Sequence, residues 1–189
     1  FIYGEEAYKN EDIRNTNANP EAFRDVASLR ASSQWSNQHS SGLLKITPYA
    51  RWSQMAFLQH FLPWQSQEEN SQRSIGIRLT SQNQIHDRWD ALWGIDSDVT
   101  QGSLIETQAN ESPFAPAQIP VGTHYDYTVT ALNAALFGNI YYRASPQLRF
   151  DFGLRADYQQ YRYNNHLSDG SACAEGVNNC RFFRPQDAK

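Results

Sequence analysis

The chain has 189 residues, a formal net charge of -4, 19% charged residues and 13% aromatic residues, with a mean hydropathy of -0.69. No run of about 18 apolar residues occurs, so no transmembrane helix is encoded, and no charged segment leads into an apolar stretch at the N-terminus as a signal peptide requires. The scattered basic residues disfavour a nucleic-acid surface or a polybasic membrane anchor, and the abundance of Tyr, Phe and Trp disfavours disorder.

The chain begins at Phe1 rather than Met and reads as processed, or as a piece of something longer. In chain order, Phe1–Gly4 reads as the tail of an earlier strand and Glu5–Arg24 as a long polar connection. Period-2 alternation then dominates. Ala27–Ser36 sets Ala27, Leu29, Ala31 and Trp35 against Arg30, Ser32 and Gln34. Leu43–Leu62 sets Leu44, Ile46, Ala50, Trp52 and Leu58 against Lys45, Thr47, Arg51 and Ser53. Pro48 falls on the apolar face of this segment, removes a ladder donor and hints at a bulge. Ser74–Ser81 sets Ile75, Ile77 and Leu79 against Arg78 and Thr80, and Arg88–Gln101 sets Trp89, Ala91, Trp93 and Ile95 against Asp90, Asp96 and Asp98. Leu132–Tyr142 and Leu148–Tyr158 form a hairpin around the turn Ala144–Gln147. The last segment is the clearest: Leu148, Phe150, Phe152, Leu154, Ala156 and Tyr158 on one side, Arg149, Asp151, Arg155, Asp157 and Gln159 on the other. As a helix it would mix Arg and Phe all round; as a strand it separates them.

The connections alternate. Asn37–Gly42, Gln82–Asp87 and Ala144–Gln147 are short, whereas Pro63–Arg73, Gly102–Asp126 and the residues from Ser168 onward are long and polar. All short turns therefore lie at one end of the sheet. Trp35, Trp89 and Tyr142 sit beside those turns on the apolar face, where a membrane barrel carries an aromatic girdle. These features predict an all-β fold, an antiparallel up-and-down transmembrane β-barrel segment of about six full strands. The competing architecture is a soluble antiparallel sandwich, which also alternates but uses strands of about five or six residues.

Cys173 and Cys180 share a Gly/Asn/Ser-rich stretch. Two cysteines cannot complete a structural zinc site, and their spacing is not the redox C-x-x-C. A small disulfide-closed loop in an oxidising compartment is favoured over free thiols. No G-x-S-x-G, H-E-x-x-H, P-loop or dinucleotide fingerprint occurs, so the chain reads as a non-enzyme without cofactor or metal. The pairs Glu5-Glu6 and Glu68-Glu69 read as solvated loop surface. Asn110-Glu-Ser matches a glycosylation sequon, a short pattern that carries little weight alone. His39 and His86 fall at the short-turn end; His60, His124 and His166 fall toward the long loops, where ordinary polar roles are favoured over metal contact.

The wording of several segments resembles the barrel of bacterial TonB-dependent outer-membrane receptors, and of their iron-complex subgroup in particular. The segments are Asn19–Val26 (NPEAFRDV), Met55–Pro63 (MAFLQHFLP), Thr123–Tyr127 (THYDY), Phe152–Tyr158 (FGLRADY) and Cys180–Pro185 (CRFFRP). The resemblance implies a bacterial outer-membrane location and a barrel of about 22 strands plugged by an N-terminal domain. Residues 1–189 would then be part of that barrel, with the plug, the TonB-interacting segment and the closing strand outside this chain. It implies a lumen wall bearing Arg51, Arg78, Asp96, Arg149, Asp151, Arg155 and Asp157. It implies ligand capture at the extracellular mouth, where Gln59, His60, His124, Tyr125, Tyr161 and Tyr163 lie. The implied partners are outer-membrane lipid, an extracellular metal chelate such as a ferric siderophore, the plug and the TonB energy complex, with no nucleic acid. A soluble β-sheet binding module, such as a carbohydrate-binding domain, and a passive porin are the rival readings.

Overall fold

The structure is a computed structural model that describes residues 4–16, 20–59 and 65–186. Seven strands form one antiparallel sheet: β1 (Arg24–Ser32), β2 (Trp35–His39), β3 (Gly42–Leu58), β4 (Gln67–His86), β5 (Trp89–Gln108), β6 (Gly122–Ser145) and β7 (Leu148–Asn165). Strands β1 and β2 both lie against β3, and β3 to β7 follow in sequence order. A small hairpin of β8 (Gly170–Ser171) and β9 (Phe183–Arg184) stands apart. Ahead of the sheet lie a single turn at Ala7–Lys9 and a helical turn α1 (Glu11–Arg14), whose first amides are capped by the Asn10 side chain. The expected earlier strand at Phe1–Gly4 falls, except for Gly4, outside the described residues.

The fold is all-β, and its sheet is open: the β1/β2 edge and the β7 edge have no partner strand among the described residues. The sidedness read from the sequence is present. Two-residue turns at Ser40-Ser41, Asp87-Arg88 and Pro146-Gln147 occupy one end; the C-terminal end of β3, the N-terminal end of β4, residues 109–121 and the C-terminal end of β7 lie at the other.

Pro48 produces no bulge. Ser32 lies opposite Tyr49 and Trp35 opposite Ile46, three residues apart on both strands, so one register runs through β1 and β2. The Ser33 amide donates to the Pro48 carbonyl at 3.2 Å. Proline has no N–H to return, and the ladder breaks for that reason alone. The first segment is thus one strand with a missing rung, as its alternation predicts, and the sheet has six strand positions. Bulges occur instead near strand ends, between Gln84 and His86, Glu106 and Thr107, and Arg143 and Ser145.

Directly opposed residues of an antiparallel ladder share a face, so the registers fix both surfaces. One face carries Leu29, Trp52, Ile75, Val99, Leu132 and Tyr158 near its upper limit and Trp89, Tyr142 and Phe150 near the turns; Trp35, expected beside a turn, lies higher, in the row of Ile46, Leu79, Ile95 and Leu136. Between them lie Ile77, Ile95, Leu136, Ile140, Phe152 and Leu154. Among the described residues no second layer covers this surface: Ile75 is 69% exposed, Phe152 64% and Leu154 81%. Trp89 stacks on Tyr142 with ring centroids 4.4 Å apart, and Tyr142 on Phe150 at 6.5 Å.

The opposite face is polar and internally paired. It holds all seven residues assigned to the lumen wall. Arg78 bonds Asp96 at 2.9 Å, Arg149 bonds Asp151 at 2.9 Å and Arg155 bonds Asp157 at 2.7 Å. Arg51 lies 4.9 Å over the Tyr49 ring. The Tyr49 ring itself covers Gly76, and Phe137 covers Gly94; a Cβ at either glycine would overlap the ring. Both glycines are there to admit an aromatic side chain from the neighbouring strand.

The strands are longer than the alternation suggests. β4 has 20 residues, β5 20 and β6 24, against the shorter segments read from the sequence. Gln67–Arg73 and Gly102–Gln108, expected in loops, are strand. The cause is that the outward face turns polar above the Ile75–Val99–Leu132 level, with Arg73, Gln101 and Thr130 next. Hydropathy alternation ends there, but the hydrogen-bond ladder does not. At ~3.3 Å per residue a 20-residue strand spans about 65 Å, well beyond a hydrocarbon layer of about 30 Å.

Candidate functional site: the long-loop end of the polar face

Above the apolar band, four strands bring tyrosines and carboxylates together. Phe57, Glu68, Glu106 and Tyr125 occupy one cross-strand row of the polar face, and Asn70, Leu104 and Tyr127 the next. Tyr163 belongs to the row below, opposite Val129, and its ring lies 5.1 Å from that of Tyr127. Burial is the main reason the Tyr125 hydroxyl is pushed above the ordinary 10.0, followed by the charge of Glu106; a backbone hydrogen bond from Phe183 pulls the other way. Burial also raises Tyr127, with Glu68 and then Glu106 adding to it. Both hydroxyls therefore stay protonated and able to donate at neutral pH.

The bulge between Glu106 and Thr107 leaves His124 as the extra residue of β6. His124 is 0% exposed. Its Nδ1 lies 3.0 Å from Glu106 Oε1, its Nε2 lies 2.7 Å from the Pro120 carbonyl, and its ring stacks on Phe182 at 3.6 Å. Phe182 also meets Tyr125 edge-on at 5.9 Å. Arg184 donates from Nε to the His124 carbonyl at 2.8 Å and from its terminal nitrogen to the Thr123 carbonyl at 2.6 Å. The segment after β7 is thus folded back over the start of β6. The Cys173–Cys180 disulfide (Cα–Cα 5.9 Å) closes that segment, and the Arg181 amide donates to the Gln118 carbonyl at 3.4 Å. Among the described residues, Phe182 and Ile119 of this cluster are two of the few buried apolar side chains in the chain.

The residues assigned to ligand capture take different places. Tyr125 and Tyr163 join the tyrosine cluster. Gln59 is buried and closes its own loop, donating to Glu68 Oε2 at 2.9 Å and accepting from Ser66 Oγ at 3.2 Å. His124 is an internal clasp with both ring nitrogens engaged. Tyr161 is exposed one row lower and donates to Gln159 at 3.3 Å. His60 lies outside the described residues. The sequence reading missed Tyr127, Glu68, Glu106, Phe182 and Arg184. Strand parity alone finds Tyr127, two residues after Tyr125. Nothing local announces Phe182 and Arg184, which reach the site through a distant loop.

On the outward face, His166 Nδ1 lies 2.7 Å from Asp126 Oδ1 and its Nε2 3.3 Å from Thr128 Oγ1. The His166 amide also donates to the Asp126 carbonyl at 2.9 Å, so this group fastens the end of β7 to β6. Among the described residues no three His, Cys, Asp or Glu side chains converge on one point. The polar-face cluster offers stacking surfaces, phenolic donors and carboxylate acceptors, which suit binding of a polar or chelate ligand.

No helix of the described residues is long and apolar enough to cross a membrane, which leaves crossing by strands untouched. Comparisons with known protein families, with curated proteins and with solved structures give no match.

Proposed function

We propose that the chain is part of the barrel of a TonB-dependent outer-membrane receptor, and that the complete receptor takes up a ferric siderophore or a similar iron complex. The observation that carries this reading is the single-layer sheet with an uncovered apolar band on one face and ion pairs on the other. A soluble domain must bury such a face against a second layer; a membrane barrel turns it to lipid. The three short turns at one end and the long connections at the other match periplasmic turns and extracellular loops. The tyrosine cluster then lies at the outer mouth, facing the lumen. Ligand captured there would be released inward when the plug responds to the energy complex. The plug, the energy complex and the iron cargo come from the resemblance of the loop and strand wording alone.

Folding of the full chain into detergent micelles and phosphatidylcholine vesicles tests the membrane part. Strand circular dichroism that appears only with detergent or lipid, and protection of β3 to β7 from protease in vesicles, are expected. A monomer that is folded and soluble without detergent would remove the barrel reading and favour a soluble binding module. Recovery of the full-length gene separates receptor from porin, since a porin carries no plug. Growth of a deletion strain on defined ferric chelates then tests the cargo; unchanged uptake of every ferric chelate would eliminate the siderophore assignment.

A further inference from the structure

The arginines of the sheet differ in their partners. On the polar face, Arg78, Arg143, Arg149 and Arg155 each hold an aspartate, Arg24 and Arg51 lie over the rings of Phe57 and Tyr49, and Arg30 stands directly opposite Arg51. The apolar face carries two arginines within the sheet, Arg73 and Arg162, and neither has an ion pair among the described residues. Both fall in one cross-strand row, Trp52–Arg73–Gln101–Thr130–Arg162, immediately above the apolar band. Arg73 is exposed and donates through Nε to the neutral Gln101 Oε1 at 2.9 Å, which orients the guanidinium without neutralising it.

Below Arg73 the surface is concave. A groove of about 450 Å3 is walled by Leu29, Ala50, Trp52, Ile75 and Val99, with Arg73 and Gln101 on its upper rim. Apolar walls with an uncompensated cation at one end complement an amphiphile with an anionic head. Arg matches phosphate oxygens in a forked geometry, and Trp52 places an amphipathic ring at the same boundary. We infer that this groove is a binding site for one lipid with an anionic phosphate headgroup, its acyl chain along Leu29, Ala50 and Ile75 and its phosphate on Arg73. This inference rests on the membrane reading proposed above.

Trp52 supplies the probe. The full chain is folded into phosphatidylcholine vesicles that contain either dibrominated phosphatidylglycerol or, at equal fraction, dibrominated phosphatidylcholine. Subtracting the signal of Trp52→Phe isolates Trp52 quenching. The anionic lipid is expected to be enriched at Trp52 by about fivefold, the scale of one arginine at a membrane surface. Arg73→Gln should abolish that excess, Arg73→Lys should keep most of it, and Arg155→Gln on the opposite face should leave it unchanged. Equal quenching by the two lipids, or an excess that survives Arg73→Gln, would overturn the site while leaving the membrane reading intact. Loss of the excess on adding inorganic phosphate would also overturn it, because the site would then take phosphate and not lipid. Absence of quenching by either brominated lipid would sink the membrane reading itself.

Discussion

Leu154 is the midpoint of the outward residues of β7 from Phe150 to Tyr158. It is 81% exposed and touches no second layer. The two environments open to this surface predict opposite results for Leu154→Arg. In water, replacing an exposed leucine changes stability by no more than about 0.5 kcal/mol. At a bilayer midplane, the same arginine costs about 2–4 kcal/mol, which shifts the folding equilibrium by roughly 30- to 1,000-fold. Phe152→Arg, one outward position nearer the turns, should cost the same or slightly less, because the penalty falls toward the interface. Arg155→Leu provides the internal control: it changes the same strand on the polar face and loses an exposed pair with Asp157 and a contact over the Phe137 ring. The assay is a urea titration of the chain folded in vesicles, followed by tryptophan fluorescence and by the electrophoretic shift between boiled and unboiled samples. A neutral Leu154→Arg, or an Arg155→Leu that is the more damaging of the two, would refute the assignment of the faces.

Three further outcomes are expected. Reduction of the Cys173–Cys180 disulfide, or Cys180→Ser, should loosen the segment that holds Phe182 and Arg184 by about 2–3 kcal/mol on the loop-entropy scale; limited proteolysis should then cut residues 170–184 while β3 to β7 stay intact, and unchanged protection would contradict the clasp. Gly76→Val should displace the Tyr49 ring and cost about 1–3 kcal/mol of overpacking, read as a lower urea midpoint, whereas a neutral result would mean that the ring does not need the glycine. Tyr125 and Tyr127 should titrate above the ordinary 10.0. Because their folded values are raised, their contribution to stability is complete below the unfolded value and is lost as pH climbs through the folded one. Phenolate absorbance should therefore show a late phase, reduced in Tyr127→Phe; a titration without that phase would count against burial at the mouth.

The apolar band was legible in the sequence because apolar-face and polar-face residues alternate one by one. Leu148–Tyr158 sorts so cleanly that the face of each of its residues follows from parity alone. The same logic fails above Ile75 and Val99. There, Gln72 and Arg73, or Gln101 and Thr100, present polar groups to both sides, so a continuing ladder looks like a loop. Pro48 misled in a different manner: a missing donor suggests an extra residue, yet the unbroken register absorbs the loss as one absent rung. At the long-loop end, parity picks out Tyr125, Tyr127 and Tyr163. It says nothing of His124, whose position depends on a bulge, or of Phe182, which is delivered by a disulfide-closed segment distant in the chain.

That absent rung has a mechanical consequence. Ser33 and Pro48 lie within the apolar band; with that band in lipid, as proposed, a carbonyl without a donor there cannot turn to water. The junction between the first strand position and β3 is therefore perforated at mid-height, whereas the junctions from β3 to β7 are continuous through the band. Under load or during exchange of neighbouring strands, the sheet should tear along this line first. The first strand position would swing away as a flap, and the block from β3 to β7 would persist as the part that keeps its shape.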